Sequence, residues 1–72
     1  MSLAKVIEVV ASSESSFDDA VKQGISEAAE TLRGISGAKV TDYTVDVADG
    51  KPTQFKVTMD VAFSVEKKQA VG

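Results

Sequence analysis

The chain has 72 residues with no cysteine, histidine or tryptophan, and a formal net charge of −3. One domain of this length lies near the limit at which a single core offsets the conformational entropy of folding, and such chains usually carry a staple. Disulfides and the usual structural zinc site are excluded by composition, which leaves oligomerisation as the common solution. The acidic balance argues against a nucleic-acid partner, since phosphate-backbone binders display a basic face. Lys67 and Lys68 form an isolated basic pair in a stretch, 67–72, that shows no pattern and reads as a mobile tail. The first ten residues place Glu8 inside an apolar run with no basic leader, so no signal peptide is read. No stretch approaches a transmembrane span, and the expected location is the cytoplasm without membrane contact.

In chain order, Leu3–Ala11 reads as the first strand, with Lys5, Ile7, Val9 and Ala11 on one face and Val6, Glu8 and Val10 on the other. Both faces are partly apolar, which suits a subunit contact on the Val6 and Val10 side and equally suits the plain strand preference of valine and isoleucine. Ser12, Ser13, Ser15 and Ser16 read as turn and cap residues, with Ser15 or Ser16 accepting from first-turn amides and Asp18 and Asp19 favoured by the helix dipole. The helix is expected from Phe17 to Arg33, stopped at Gly34, with Asp18–Lys22 and Glu30–Arg33 spaced to pair on the exposed side. Phe17, Val21, Ile25, Ala28 and Leu32 form its apolar stripe, flanked by Ala20, Gly24 and Thr31. Gly24 in mid-helix implies a close approach, either of a backbone or neighbouring helix from outside or through ordinary packing on its own sheet, the latter favoured.

The second strand is expected over Ala38–Ala48, where Tyr43, Val45 and Val47 alternate with Asp42, Thr44 and Asp46, and Val40 falls on the polar side. Asp49-Gly50 supplies hairpin-turn chemistry, and Pro52 stands at the entrance to the third strand. That strand, Thr53–Glu66, places Phe55, Val57, Met59, Val61, Phe63 and Val65 on every second residue, opposite Gln54, Lys56, Thr58, Asp60, Ala62, Ser64 and Glu66. The reading is a single α+β domain over 1–72, of β-α-β-β order. A crossover leaves strands 1 and 2 parallel with strand 3 antiparallel between them, giving a three-stranded sheet of order 1-3-2 packed on one amphipathic helix. One helix cannot cover so long a sheet, and the uncovered part is the expected subunit interface.

The sequence offers no activated nucleophile and no base that titrates near neutral pH, so catalysis is not expected. The remaining candidates are Asp42 and Asp46, four apart on one face of strand 2, and Asp60 on the polar face of strand 3. Such carboxylates suit a hard divalent cation, above all where symmetry repeats them, and equally suit a solvated sheet face. Tyr43 reads as core or interface packing.

The VVASSESSFDDAV junction, the AAETLRGI helix end and the ADGKPTQFKVTMDVAFSVE hairpin and closing strand resemble the dodecin family over nearly the whole chain. The resemblance implies a hollow homododecamer of cubic symmetry that sequesters flavin or a related ring system (FMN, riboflavin or a breakdown product) at subunit interfaces without turnover. Its flavin-stacking tryptophan matches Gly37 here, its archaeal flavin-edge glutamine matches Asp60, and its bacterial strand-2 arginine matches Thr44. Relatives lacking the tryptophan are associated with calcium, which gives Asp42, Asp46 and Asp60 a second reading as metal ligands. The alternative to a flavin store is therefore a structural or calcium-binding dodecameric shell.

Overall fold

The computed structural model describes residues 3–65. Four elements follow one another: β1 (Leu3–Ser13), α1 (Phe17–Thr31), β2 (Ile35–Ala48) and β3 (Lys51–Val65). The three strands form one sheet of order β1-β3-β2, with β3 antiparallel to both neighbours. The expected fold class and strand order are thus those observed. Glu66 and the expected tail lie outside the described residues.

The centre of the sheet is the strand whose alternation is least interrupted. Val57, Met59 and Val61 of β3 are fully buried together with Ala20 of α1, and Val9, Ala11, Phe17, Val21, Ile25, Ile35 and Val40 pack around them. At Gly24 the helix comes down onto its own sheet. A Cβ there would lie 2.8 Å from both the Ala11 Cβ and the Met59 Cε, distances that force a neighbour to move.

Helix α1 begins as its sequence dictates. Ser16, in an extended conformation, caps it by accepting from the Asp19 amide at 2.9 Å, and Asp18 and Asp19 occupy the first turn. Its end comes earlier than the expected Arg33. Leu32 already has extended backbone, with its amide donating to Ala28 O at 2.9 Å, and Gly34 turns with φ +71° so that its carbonyl accepts from the Ser64 amide of β3 at 2.9 Å. The sheet captures the chain there, which ends the helix at Thr31 and starts β2 at Ile35 rather than Ala38. Neither helix pair forms: among the described residues the ion pair is Lys56–Asp46, at 3.1 Å.

The parity of β2 also differs from simple alternation. Val40 is not on the polar side; it pairs with Met59 and packs on the core. Register shifts between Ile35 and Gly37, between Val40 and Asp42 and between Asp46 and Val47 restore the phase of the apolar residues. Each shift carries a hydroxyl that donates to a carbonyl of the facing strand: Ser36 to Ala62 O at 3.5 Å, Thr41 to Thr58 O at 3.2 Å, and Thr53 to Asp46 O at 3.2 Å. The last shift places Pro52 inside β3, opposite Val47, rather than at its entrance. Asp49 and Gly50 close the hairpin with φ of 52° and 74°, the two positive values of a type I′ turn.

The chain is long and thin. Its principal extents are 62 × 19 × 13 Å and its radius of gyration is 15.5 Å, against about 11 Å expected for a compact chain of this length. Helix α1 lies over β1 and β3, and beyond it the helix-side residues of the later part of β2 are exposed: Tyr43 is 61% exposed, in edge-to-face contact with Phe17 at 5.1 Å. On the opposite sheet face, Val6 and Val10 are also exposed.

Two outcomes follow from this packing. Gly24→Val should destabilise the protein by about 1–3 kcal/mol through overpacking against Ala11 and Met59, read by urea unfolding at fixed protein concentration. Val61→Lys should abolish folding or assembly, because an ammonium among Val57, Met59 and Ala20 has no partner, whereas Ser64→Lys should assemble normally. Equal behaviour of the two lysine variants in size-exclusion chromatography would reverse the assignment of the faces.

Candidate site on the helix-free sheet face

All the singled-out positions fall on the sheet face that α1 does not cover. The register sets them in successive rows. Gly37 lies beside Ala62, with Val6 on the far side of Ala62; Asp60 lies between Glu8 and Lys39; Asp42 lies beside Thr58, with Val10 beyond it; Thr44 lies beside Lys56, with Ser12 beyond it; Asp46 faces Gln54. Glu8 and Lys39 were not singled out from the sequence as site residues. Lys39 in particular joins the Asp60 row only through the register that the β2 bulges create.

The rows separate these residues as well as align them. Gly37 and Thr44 pair with Ala62 and Lys56 of β3, so along the strand they stand about 20 Å apart at 3.3 Å per residue. A single ring system cannot touch both within one subunit. Asp42 and Asp60 occupy diagonal positions of neighbouring strands, about 7–8 Å apart at Cα. Asp46 lies far from Asp60, and its carboxylate is held by Lys56. Asp42, Asp46 and Asp60 therefore do not converge within one chain, and among the described residues no group of three or more potential metal ligands comes together. Space is open at Gly37: a Cβ there would meet nothing within 4 Å.

A second polar cluster forms at the β1–α1 junction. The nearly buried Ser13 hydroxyl donates to Asp19 Oδ2 at 2.7 Å and accepts from the Ser15 amide at 2.9 Å, while the Gln23 amide donates to the same carboxylate oxygen at 2.6 Å. The Ser13 and Gln23 hydrogen bonds, in that order, hold the Asp19 carboxyl below its usual range. Each partner is consumed in fixing the turn into the helix, so the cluster is structural.

These features define a class: a β-α-β-β domain whose helix covers part of a three-stranded antiparallel sheet and whose polar candidates share the uncovered face. Residues 3–66 match the dodecin family model, and the chain belongs to the dodecin family. No curated protein matches the chain. Among solved structures, the dodecin from Streptomyces coelicolor is 28% identical, with a TM-score of 0.89 over 93% of this chain and 96% of that one. The dodecin from Streptomyces davaonensis is 27% identical, with a TM-score of 0.88 over 92% and 97%. A calcium-chelating dodecin of Mycobacterium tuberculosis, described as having a novel calcium-binding site, shares the fold at 23% identity and a TM-score of 0.78, over 96% and 99%.

The lowered Asp19 ionisation yields a pH test. The native state holds that proton less tightly than the unfolded chain, so the stabilisation is full above the unfolded value of 3.8 and is lost as pH falls through the lowered folded value. Ser13→Ala removes the main cause. Its melting temperature should start below that of the wild type at neutral pH and fall less between about pH 5 and pH 2. Parallel melting curves would show that the hydroxyl does not set the acid stability.

Proposed function

We propose that the chain is a subunit of a dodecin-type homododecamer that holds a small ligand at its subunit interfaces without turning it over. One observation carries this reading. Gly37 and Thr44 share the helix-free face yet stand about 20 Å apart, so a pocket that uses both must draw them from different subunits. The elongated shape and the four fully buried side chains support association on independent grounds. The family expectation for the ligand is a flavin, as FMN, riboflavin or a breakdown product. Asp60 would meet its edge as an acceptor, Thr44 could donate and accept, and Gly37 leaves the stacking side open. The lack of cysteine and histidine supports a non-enzymatic role. No helix among the described residues is long and apolar enough to cross a membrane.

A second reading is a calcium-binding shell without flavin. It is favoured by the diagonal placement of Asp42 and Asp60, which a second copy could complete to a hard-oxygen site.

Native mass measurement tests the assembly, and a dodecamer is expected. Titration of oxidised flavin, read by fluorescence quenching, tests the ligand. Gly37→Trp should tighten binding several-fold to about tenfold, since aromatic stacking adds roughly 0.5–1.5 kcal/mol and 1.4 kcal/mol is tenfold. If neither protein quenches flavin while calorimetry detects calcium that Asp60→Asn no longer binds, the second reading holds.

A further inference from the structure

The β2–β3 hairpin runs past the rest of the sheet. Strand β1 ends at Ser13, which pairs with Phe55, so from Lys51 to Gln54 strand β3 has only β2 beside it among the described residues. Every residue from Val47 to Thr53 is exposed. Two strands without a third strand or a covering helix are marginally stable, and such tips open locally at low cost. The ladder is also thin there. Pro52, opposite Val47, has no amide to donate, and beside the register shift the Thr53 hydroxyl ties the two strands by donating to Asp46 O at 3.2 Å.

The tip itself is Asp49-Gly50. An aspartate carboxyl and the amide nitrogen of the next residue can close a five-membered ring, and closure is fastest where that residue has no side chain. No other aspartate of this chain precedes a glycine, and the chain has no asparagine. Space around Gly50 is open, since a Cβ there would meet nothing within 4 Å. The closed turn nevertheless opposes the reaction. Asp49 has φ 52°, the left-handed region, in which ψ is about +30° to +47°. That ψ sets the Gly50 nitrogen anti to the Asp49 Cβ about the Cα–C bond, where it cannot reach Cγ.

We propose that Asp49 is a site of spontaneous isoaspartate formation, reached through opening of the hairpin tip. Once the tip is open, the Gly50 nitrogen attacks Cγ of the protonated carboxyl. A C–N bond forms, and the carboxyl hydroxyl leaves as water with the amide proton, giving a succinimide. Water then adds to either ring carbonyl. Addition at Cγ regenerates aspartate, and addition at the backbone carbonyl leaves the chain running through Cβ and Cγ as isoaspartate. No oxidant or other reactant is required. The product has one more backbone carbon in a turn that closes Ala48 on Lys51 with two residues between them, so that pairing is displaced. Its free α-carboxylate is the substrate class of an S-adenosylmethionine-dependent carboxyl methyltransferase that recognises isoaspartyl residues.

The test holds the purified full chain at one near-neutral pH and temperature beside a synthetic peptide of the sequence Val45–Gln54. Electron-transfer fragmentation places the isoaspartate in the sequence, and labelled methyl transfer by that methyltransferase counts it. Isoaspartate should form at Asp49 in both samples, about tenfold to a thousandfold more slowly in the folded chain, the factors imposed by an opening that costs ~1.4–4 kcal/mol. Thr53→Val removes the hydroxyl tie and keeps the branched shape. It should raise the rate in the folded chain about twofold to tenfold while the far-ultraviolet circular dichroism is kept. Equal rates in chain and peptide, or an unchanged rate in Thr53→Val, would overturn the gating by the tip. A folded chain slower than that range, or one modified mainly at another aspartate, would overturn the site.

Discussion

The structure depends on a mismatch of lengths. Strand β3 runs over 15 residues, about 50 Å at 3.3 Å per residue, with unbroken apolar alternation from Phe55 to Val65, while α1, also of 15 residues, spans only about 22 Å at 1.5 Å per residue. A strand advances more than twice as far per residue as a helix, so one helix of equal count covers less than half of the strand beneath it. The buried centre is accordingly small, confined to Val57, Met59, Val61 and Ala20. What the helix leaves bare must be covered by something else or remain in water. The exposed apolar residues at both ends of the sheet are thus a consequence of the architecture and not isolated surface accidents.

The bulges of β2 solve a second geometric problem. Ile35 and Ala38, and again Val40 and Tyr43, are three residues apart, so in an unbroken strand each pair would point to opposite faces. An extra residue at Ser36 and at Thr41 brings both members of each pair opposite the helix-side residues of β3. The two inserted residues, and Thr53 at the third irregularity, are hydroxylated, and each satisfies a carbonyl of the facing strand. A bulge disrupts the ladder locally, and a hydroxyl donor offsets part of that loss. The same shifts set which residues share a row on the far face, and so place Lys39 beside Asp60. Directly opposed Glu8 and Asp60 repel each other, and the ammonium on the other side of Asp60 moderates that repulsion.

The chemistry a ligand would meet follows from these rows. Around Gly37, Ala62 and Val6 the surface is small and apolar, and one row further it becomes charged. Such a surface offers a flat floor beside acceptors, with a single ammonium among them. Chains with serine-rich junctions invite readings of nucleophiles, but here Ser13 and Ser16 are both committed to the turn and the cap. The junction is what allows β1 to pass directly into the helix, and its role is architectural.

The sequence by itself determined the element types and order, the helix-facing side of β3, the hairpin turn at Asp49-Gly50 and a serine cap at Ser15 or Ser16, and it marked Gly24 as a place of close approach. These features are local, or follow from a residue period that survives any register. It also implied that the helix is too short for its sheet, because rise per residue is a property of backbone geometry. Tertiary structure alone decided where the helix ends, since Gly34 is drawn to Ser64 of a strand thirty residues on. It decided the side taken by Val40, since a bulge is specified by the partner strand's hydrogen bonds and leaves the order of residues unchanged. It decided, too, that the Asp46 carboxylate pairs with the Lys56 ammonium and stands apart from Asp60: spacing along one strand places carboxylates on a common face, but only the register between strands fixes the distance separating them.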